Sequence, residues 1–310
     1  MTQLISIVTP FYNEEESIAE YFFNLEKVLK NIPNIEWEFI AVDDGSLDRT
    51  FAILKEIAAT KKNLKVIKLS RNFGKDIALT AGLDHAHGDA AIPIDADLQD
   101  SPYILPEMIA KWREGHKIVL AERISRNDPW FKKFTAKLFY KLAAKIMDRT
   151  LPQNVGDFRL IDKVALNDVK KLRERSRFTR GILSWVGYDT VTVQYERSAR
   201  FKGKTKYNYI SLMNYAFDGI FSFSTFPIRA ITYFGLLISF CSFCYGLVII
   251  FKKIFLGNEV AGYSSIMSVI LFLGGMNFIF IGVIGEYIGR IFNEVKERPL
   301  YLIEEIVERE

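Results

Sequence analysis

Two long stretches without a single charge constrain most strongly what this chain can fold into. Ala230 to Phe251 contains no Asp, Glu, Lys or Arg, and neither does Tyr263 to Gly285. As a helix, each is long enough to cross a hydrocarbon core ~30 Å thick. Core helices of soluble proteins rarely stay apolar all round for such a length. Both runs lie far from the N-terminus, which lacks a basic start before an apolar core, so neither reads as a cleaved targeting segment. The expectation is two membrane-spanning helices, at 230–251 and 263–285.

Two crossings return a chain to the side it left, so residues 1–229 and 286–310 are expected on the same side. Arg229, Arg290, Lys296 and Arg298 flank the spans there, against Lys252 and Lys253 in the connector. Basic flanks favour the cytoplasm, and the lack of a signal sequence points the same way. Cys241 and Cys244, the only cysteines, fall inside the first span. A zinc or redox site would need water and further ligands, so they read as small apolar filler with no disulfide, which fits a reducing compartment. A net charge of +4 on 310 residues gives no case for nucleic acid.

The N-terminal part has a different texture. Short apolar runs stop at polar, turn-forming residues and then open helical patterns. Strands are expected at 4–9, 38–43, 64–69, 90–94 and 117–122, and helices at 15–31, 49–60, 75–85 and 104–114. This alternation is that of an α/β protein with a Rossmann-like, doubly wound, mostly parallel sheet. Asp95-Ala96-Asp97 follows the fourth run, so both carboxylates leave the sheet at its carboxyl edge, where ligands of such sheets bind. On extended backbone, residues i and i+2 point the same way. The pair can therefore face a hard cation, Mg²⁺ or Mn²⁺, which shares its oxygen ligands with substrate phosphates. Taken alone, a solvated strand end explains the motif as well. His85 and His87 read as surface or helix-cap residues, because no carboxylate cluster accompanies them.

Four motifs in order carry a resemblance: Val8-Thr9-Pro10-Phe11-Tyr12-Asn13-Glu14, Val42-Asp43-Asp44-Gly45-Ser46, Ser70-Arg71-Asn72-Phe73-Gly74-Lys75 and Asp95-Ala96-Asp97-Leu98-Gln99-Asp100. Together they resemble the family 2 glycosyltransferases of GT-A fold, and in particular the polyprenyl-phosphate group of bactoprenol glucosyltransferases and dolichol-phosphate mannose synthases. The likeness runs from about residue 6 to 207 and resumes at the C-terminus. It implies that Pro10, Tyr12 and Glu14 line the base pocket, that Asp44 accepts from base or ribose, and that Lys75 lies near the nucleotide-sugar. It further implies that Asp97, assisted by Asp95, holds Mg²⁺ or Mn²⁺ against the diphosphate, with Gln99 and Asp100 touching the donor sugar. Asp43 is open to a second role, holding its loop through the Gly45 and Ser46 amides.

Asn154-Val155-Gly156-Asp157-Phe158-Arg159-Leu160 resembles the family's acceptor-side motif, which makes Asp157 the catalytic base. A phosphomonoester acceptor has a second pKa near ~6 and is largely ionised already. Asp157 would then chiefly position the phosphate or its cationic partners. The competing reading is a carboxylate capping a helix near Lys163. An anionic acceptor needs cations: Arg123, Arg126, Arg200 and Lys206 are the candidates, the last two from a basic loop that resembles R-x-x-G-x-[ST]-K-Y.

Between these motifs, Trp130, Phe131, Phe134, Leu138, Leu142 and Ile146 recur at helical spacing with Lys132, Lys133, Lys137, Lys141 and Lys145 between them. This basic amphipathic helix suits a membrane surface, and packing on the sheet is the alternative. The expected layout is a nucleotide-sugar-binding core at 1–128, an acceptor-side part at 129–206, an interfacial helix at 207–229, the two spans, and a cytoplasmic tail at 286–310. Gly285-x-x-x-Gly289 offers a face for self-association into a homo-oligomer. The tail Glu297-Arg298-Pro299-Leu300-Tyr301 and the two-span count resemble the bacterial bactoprenol enzymes. The implied function is inverting transfer of one sugar from a nucleotide donor to a polyprenyl (undecaprenyl) phosphate at the cytoplasmic face of the plasma (inner) membrane. UDP-glucose is favoured over UDP-N-acetylglucosamine, a UDP-aminoarabinose derivative or GDP-mannose. A processive synthase would need a Gln-x-x-Arg-Trp motif and more spans. A non-catalytic membrane partner would not keep all these polar groups.

Overall fold

The computed structural model describes residues 2–97, 99–124, 155–175, 179–195, 226–256 and 262–309. It divides into two compact units, Met1–Ala216 with Arg298–Glu310, and Phe217–Glu297.

The first unit is built on one eight-stranded sheet of order β7-β5-β6-β4-β1-β2-β3-β8. Its strands are β1 (Gln3–Phe11), β2 (Ile35–Asp43), β3 (Leu64–Leu69), β4 (Ala90–Pro93), β5 (Ile118–Arg123), β6 (Val155–Asp162), β7 (Thr190–Tyr195) and β8 (Ile303–Val307). Parallel pairing joins β4, β1, β2 and β3. The crossovers between them are helices α1 (Ile18–Leu29), α2 (Thr50–Thr60) and α3 (Lys75–Asp84). The central strands are apolar on both faces because helices cover both; Ile5, Ile7, Val8, Ile40 and Val42 are all buried. α1 buries Ile18, Tyr21, Phe22, Leu25, Val28 and Leu29, the i, i+3, i+4, i+7 stripe of a helix with one face on a sheet.

The other half is mixed. β6 runs antiparallel to both β4 and β5, while β7 lies parallel to β5. Because β6 is reversed, its first residues come to the same edge as the last residues of its neighbours. α4 (Leu105–Arg113) and α5 (Lys163–Lys171) flank this half, followed by the short α6 (Thr179–Trp185). Asp162 caps α5 by accepting from the Val164 amide at 3.0 Å, and its other oxygen takes the indole N–H of Trp112 at 2.8 Å. The doubly wound, mostly parallel reading therefore describes the β1–β4 side, and a reversed strand changes the other side.

The segment read as a tail ends in a strand. β8 pairs antiparallel with β3, its charges meeting lysines: Lys55 with Glu305 at 2.5 Å, Lys68 with Glu304 at 2.9 Å and Lys65 with Glu308 at 3.1 Å. Just before it, Ser70 donates its amide to the Leu302 carbonyl at 2.9 Å. The Tyr301 hydroxyl donates to Asp84 at 2.8 Å.

The second unit holds α7 (Phe226–Leu256) and α8 (Tyr263–Val295), of 31 and 33 residues. Both contain windows apolar enough to cross a membrane, with mean hydropathy 1.8 and 2.3 and none of either window buried. Bare side chains such as Phe240, Phe243, Phe272 and Phe278 form far more exposed apolar surface than a protein presents to water. The helices overrun the expected spans at both ends of the first and at the far end of the second, because the charged residues beyond them continue the helical pattern. The chain leaves the first unit for this hairpin and afterwards supplies β8 to the first unit's sheet, an out-and-back path.

Candidate active site

The carboxyl edge of the parallel strands carries three loops that are tied to one another. After β1, Asn13 takes a left-handed backbone conformation, φ 52°. Its side-chain oxygen accepts from the Leu47 amide at 2.8 Å, and its own amide donates to the Ser46 hydroxyl at 3.0 Å. Glu14 donates its amide to Thr50 Oγ1 at 2.9 Å, and Glu15 accepts from the Arg49 amide at 3.0 Å. The first two loops are thus stitched reciprocally. Pro10 and Tyr12 are partly exposed at this rim, as is Glu14, whose carboxylate accepts from the Ser17 hydroxyl at 2.8 Å.

Asp43 and Asp44 both face inward. Asp43, fully buried, receives the Ser46 amide at 3.3 Å, the loop-holding role left open for it. Asp44 is 2% exposed, and its two oxygens accept from the Phe73 and Gly74 amides at 2.8 and 3.0 Å. Burial pushes both carboxyls above the ordinary carboxylate range, and the amide bonds oppose that shift. Asp44, expected to meet base or ribose, fixes the third loop through its bonds to the Phe73 and Gly74 amides. Gly74 meets it with φ 96°, backbone that a side chain rarely adopts. That geometry starts α3 at Lys75.

Lys75 then reaches across the edge. Its Nζ lies 2.7 Å from Asp95 Oδ2 and 2.8 Å from Asp157 Oδ2. The structure thus brings three of the expected site residues, from the third loop, the β4 end and the β6 start, into one ionic cluster. Burial alone would lower the Lys75 pKa, but the two carboxylates outweigh it and hold it above the usual value. Burial raises the Asp95 carboxyl, against the pull of Lys75.

Asp97 does not continue an extended strand. β4 ends at Pro93, and Ala96-Asp97 form a turn with Ala96 buried. The side-by-side pair expected from strand geometry is therefore replaced by a division: Asp95 faces Lys75, while Asp97 is half-exposed in the turn and accepts from the Gln99 amide at 3.2 Å. Among the described residues, no three His, Cys, Asp or Glu side chains converge on a metal position. This donor set fits a hard cation of the kind that takes one or two carboxylates and completes its shell with substrate phosphates.

Asp100, expected beside the donor sugar, is 2% exposed, accepts from Arg123 Nη2 at 3.2 Å and receives the Tyr195 hydroxyl. Arg123 Nε in turn donates to the Tyr195 oxygen at 3.0 Å. Asp100 thus holds the ends of β5 and β7. Arg123, expected to bind phosphate, is largely engaged within the protein. The guanidinium lies over Gly156, where a Cβ would come within 2.6 Å of Nη2; only glycine leaves room beside the pinned arginine.

Two residues were missed. Tyr195 lies on a strand with no expectation attached to it. Arg159, 3% exposed, donates to the Gly156 carbonyl at 2.6 Å and the Asp157 carbonyl at 3.3 Å, fixing the backbone beside Asp157. An arginine two residues beyond the motif's aspartate was the available signal. The helix-cap alternative for Asp157 falls to Asp162, which caps α5 instead. His85 closes α3, its Nδ1 2.8 Å from the Ala81 carbonyl, and His87 pairs with Glu38 at 2.9 Å. Arg126, Arg200 and Lys206, the basic helix at 130–147 and the stretch from 207 to 225 lie outside the described residues.

With this edge in view, comparison with known proteins is decisive at the family level. Residues 6–170 match the family described as Glycosyl transferase family 2, and residues 226–291 match the GtrB C-terminal hairpin. The chain belongs to glycosyl transferase family 2. It is 50% identical over 307 residues to "Uncharacterized glycosyltransferase sll0501" of Synechocystis, covering 99% of this chain and 96% of that one. It is 47% identical over 300 residues to "SfII prophage-derived bactoprenol glucosyl transferase" of Shigella flexneri, covering 96% and 97%. Among solved structures, glucosyl-3-phosphoglycerate synthase from Mycobacterium tuberculosis aligns with TM-score 0.48 at 19% identity, covering 71% of this chain and 76% of that one. The protein is a glycosyltransferase whose catalytic unit has the mixed α/β sheet of the GT-A class.

Proposed function

We propose that this glycosyltransferase moves one glucose, with inversion, from UDP-glucose to a polyprenyl phosphate at the cytoplasmic face of the plasma membrane. The observation that carries the reading is the ionic cluster at the sheet edge, in which Asp157 of the acceptor-side motif meets the Asp95–Asp97 loop within the reach of one lysine. A donor site and an acceptor site so close fit direct transfer between two bound substrates. The membrane hairpin and the relative named as a bactoprenol glucosyl transferase support a lipid acceptor.

In this reading the rim formed by Pro10, Tyr12 and Glu14 receives the base, and Gln99 faces the sugar. Asp97, with Asp95 near it, holds the donor's diphosphate through Mg²⁺ or Mn²⁺. When bound, the cation offsets charge that builds on the departing nucleoside diphosphate. Asp157 orients the acceptor phosphate and takes any residual proton from it. Arg126, Arg200 and Lys206 supply cations to that phosphate. Residues 1–206 act as the catalytic part, 207–229 as an interfacial segment and α7 with α8 as the two spans of a multi-pass anchor that can self-associate.

The test is membranes containing the full chain, given labelled UDP-glucose and undecaprenyl phosphate with Mg²⁺ or Mn²⁺. Label should enter a solvent-extractable lipid and return to the aqueous phase on mild acid treatment. UDP-N-acetylglucosamine, a UDP-aminoarabinose derivative and GDP-mannose serve as competing donors. Labelled lipid with one of these and none with UDP-glucose would replace the sugar, and no labelled lipid with any donor would remove the acceptor.

A further inference from the structure

The lysine at the centre of the cluster has more to do than approach a nucleotide. β4 and β6 pair antiparallel, with Ala91 opposite Ile161. Asp95 follows the end of β4 and Asp157 lies near the start of β6, and both carboxylates lie within 2.8 Å of Lys75 Nζ, which makes them close neighbours. Two like charges so near each other repel. Here they do so at a partly covered edge, with 24% and 13% of the two side chains exposed. A cation between the acceptor-side and donor-side carboxylates offsets that repulsion.

Lys75 is that cation, and several features fix where it stands. Gly74 is held by Asp44, its left-handed backbone starts α3, and the ammonium arrives 2.7 and 2.8 Å from the two carboxylates. Its side chain is 39% exposed, so the cluster borders the open edge. Asp97 lies in the following turn, where it accepts from the Gln99 amide at 3.2 Å.

We infer that Lys75 is a positioning residue for Asp157: it locks the acceptor-side carboxylate against Asp95. This rests on the transfer reaction proposed above and sharpens it. Lys75 acts on the turnover step through Asp157 and contributes little to holding the nucleotide. The order of parts follows: Asp44 sets the loop, the loop sets Lys75, and Lys75 sets Asp157. A misplacement of about 1 Å at a reacting group costs on the order of 100-fold in rate.

The experiment uses the full chain in detergent or nanodiscs, with Lys75→Met, Lys75→Arg and the double variant Lys75→Met/Asp95→Asn. Three readouts are taken: UDP-glucose affinity by titration calorimetry, kcat at saturating donor, and Tm. For Lys75→Met, donor affinity is expected to stay within about threefold while kcat falls about 100-fold. Lys75→Arg, which can fork across two carboxylates, is expected to keep kcat within about tenfold of wild type. Adding Asp95→Asn to Lys75→Met removes the facing charge, so it is expected to recover Tm.

A Lys75→Met protein whose donor affinity drops tenfold or more while its turnover at saturating donor is preserved would overturn the inference and place Lys75 on the phosphates. So would a double variant that does not recover Tm. If wild type transfers no sugar to polyprenyl phosphate, the proposed reaction fails instead. The Tm comparison between single and double variants still decides whether Lys75 acts through the carboxylate pair.

Discussion

The two halves of the catalytic sheet solve the same problem by different means. On the β1–β4 side, the polar ends of parallel strands are knitted by short-range bonds between consecutive loops, as between Asn13 and Leu47 or Asp44 and Gly74. On the β5–β7 side, a reversed strand brings residues from distant parts of the chain to the same edge, and charged side chains hold them: Asp100 with Arg123 and Tyr195, and Arg159 on the backbone carbonyls of Gly156 and Asp157. The first half is a rigid cradle whose polar groups are spent on its own backbone. The second keeps its charges in mutual contact, so losing one member leaves another charge in a poorly solvated place. That contrast predicts that substitutions on the two sides fail differently.

The largest effect is expected at Asp97. Asp97→Ala removes a carboxylate that, in the proposed reaction, helps compensate charge on the leaving diphosphate, a contribution of several kcal/mol. Turnover should fall at least ~100-fold with Tm little changed, because the side chain is half-exposed in a turn. Activity that persists in this variant and also in EDTA would end the metal reading.

Next comes Asp157→Asn, which probes the other side. Charge is lost where the acceptor is handled, so kcat should fall about 100-fold while calorimetric affinity for UDP-glucose stays within about threefold. A collapse of donor affinity with normal turnover at saturating donor would move Asp157 to the nucleotide side and erase the division between the halves.

Stability separates the halves further. Asp100→Ala leaves the Arg123 guanidinium without its buried counter-charge, and breaking one partner of such a pair costs about 3–5 kcal/mol. Because Arg123 keeps partial exposure to solvent (26% of its side chain), the low end of that range is expected. Tyr195→Phe, which removes only a hydroxyl, should cost about 1–3 kcal/mol. Urea denaturation of the full chain in a fixed detergent would measure both. Equal, negligible losses would show that the β5–β7 side is not held by these contacts.

Much of this was legible from sequence, and unevenly so. Strand 64–69 coincides with its expected limits, and the other parallel strands differ by a few residues at their ends, because a both-face-buried strand writes its own apolar run. The Asp-x-Asp position was legible too, but its geometry was not: an i, i+2 rule holds on extended backbone, and Ala96 turns the chain instead. At Asp44 and Asp100 the sequence shows a carboxylate and not its partners within the protein. Their amide, arginine and tyrosine contacts come from residues 23 to 95 positions away. Tyr195 could not be read at all, since its role exists only once β5 and β7 are side by side.

The same reasoning applies at the far edge, where the smallest effect is expected. β8 has only the five residues Ile303–Val307, and two of them are glutamates, so no local pattern announces a strand. What makes it one is the open edge of β3 together with Lys55 and Lys68, which meet its two glutamates, and Lys65, which meets Glu308 just beyond it. Those exposed pairs contribute little individually. Tyr301 differs, because its hydroxyl reaches Asp84, which also receives Arg173 at 2.7 Å. Tyr301→Phe removes one charge-assisted bond at a half-buried site and should cost about 1.5 kcal/mol, leaving kcat and donor affinity unchanged since Asp84 lies at the far end of α3 from Lys75. Reversing Glu305 to Lys should cost less than about 1 kcal/mol and lose even that at high salt. Both are read by urea denaturation at low and high salt. A loss of turnover in Tyr301→Phe with stability intact would mean that the returning strand communicates with the site and that the edge is more than a clasp.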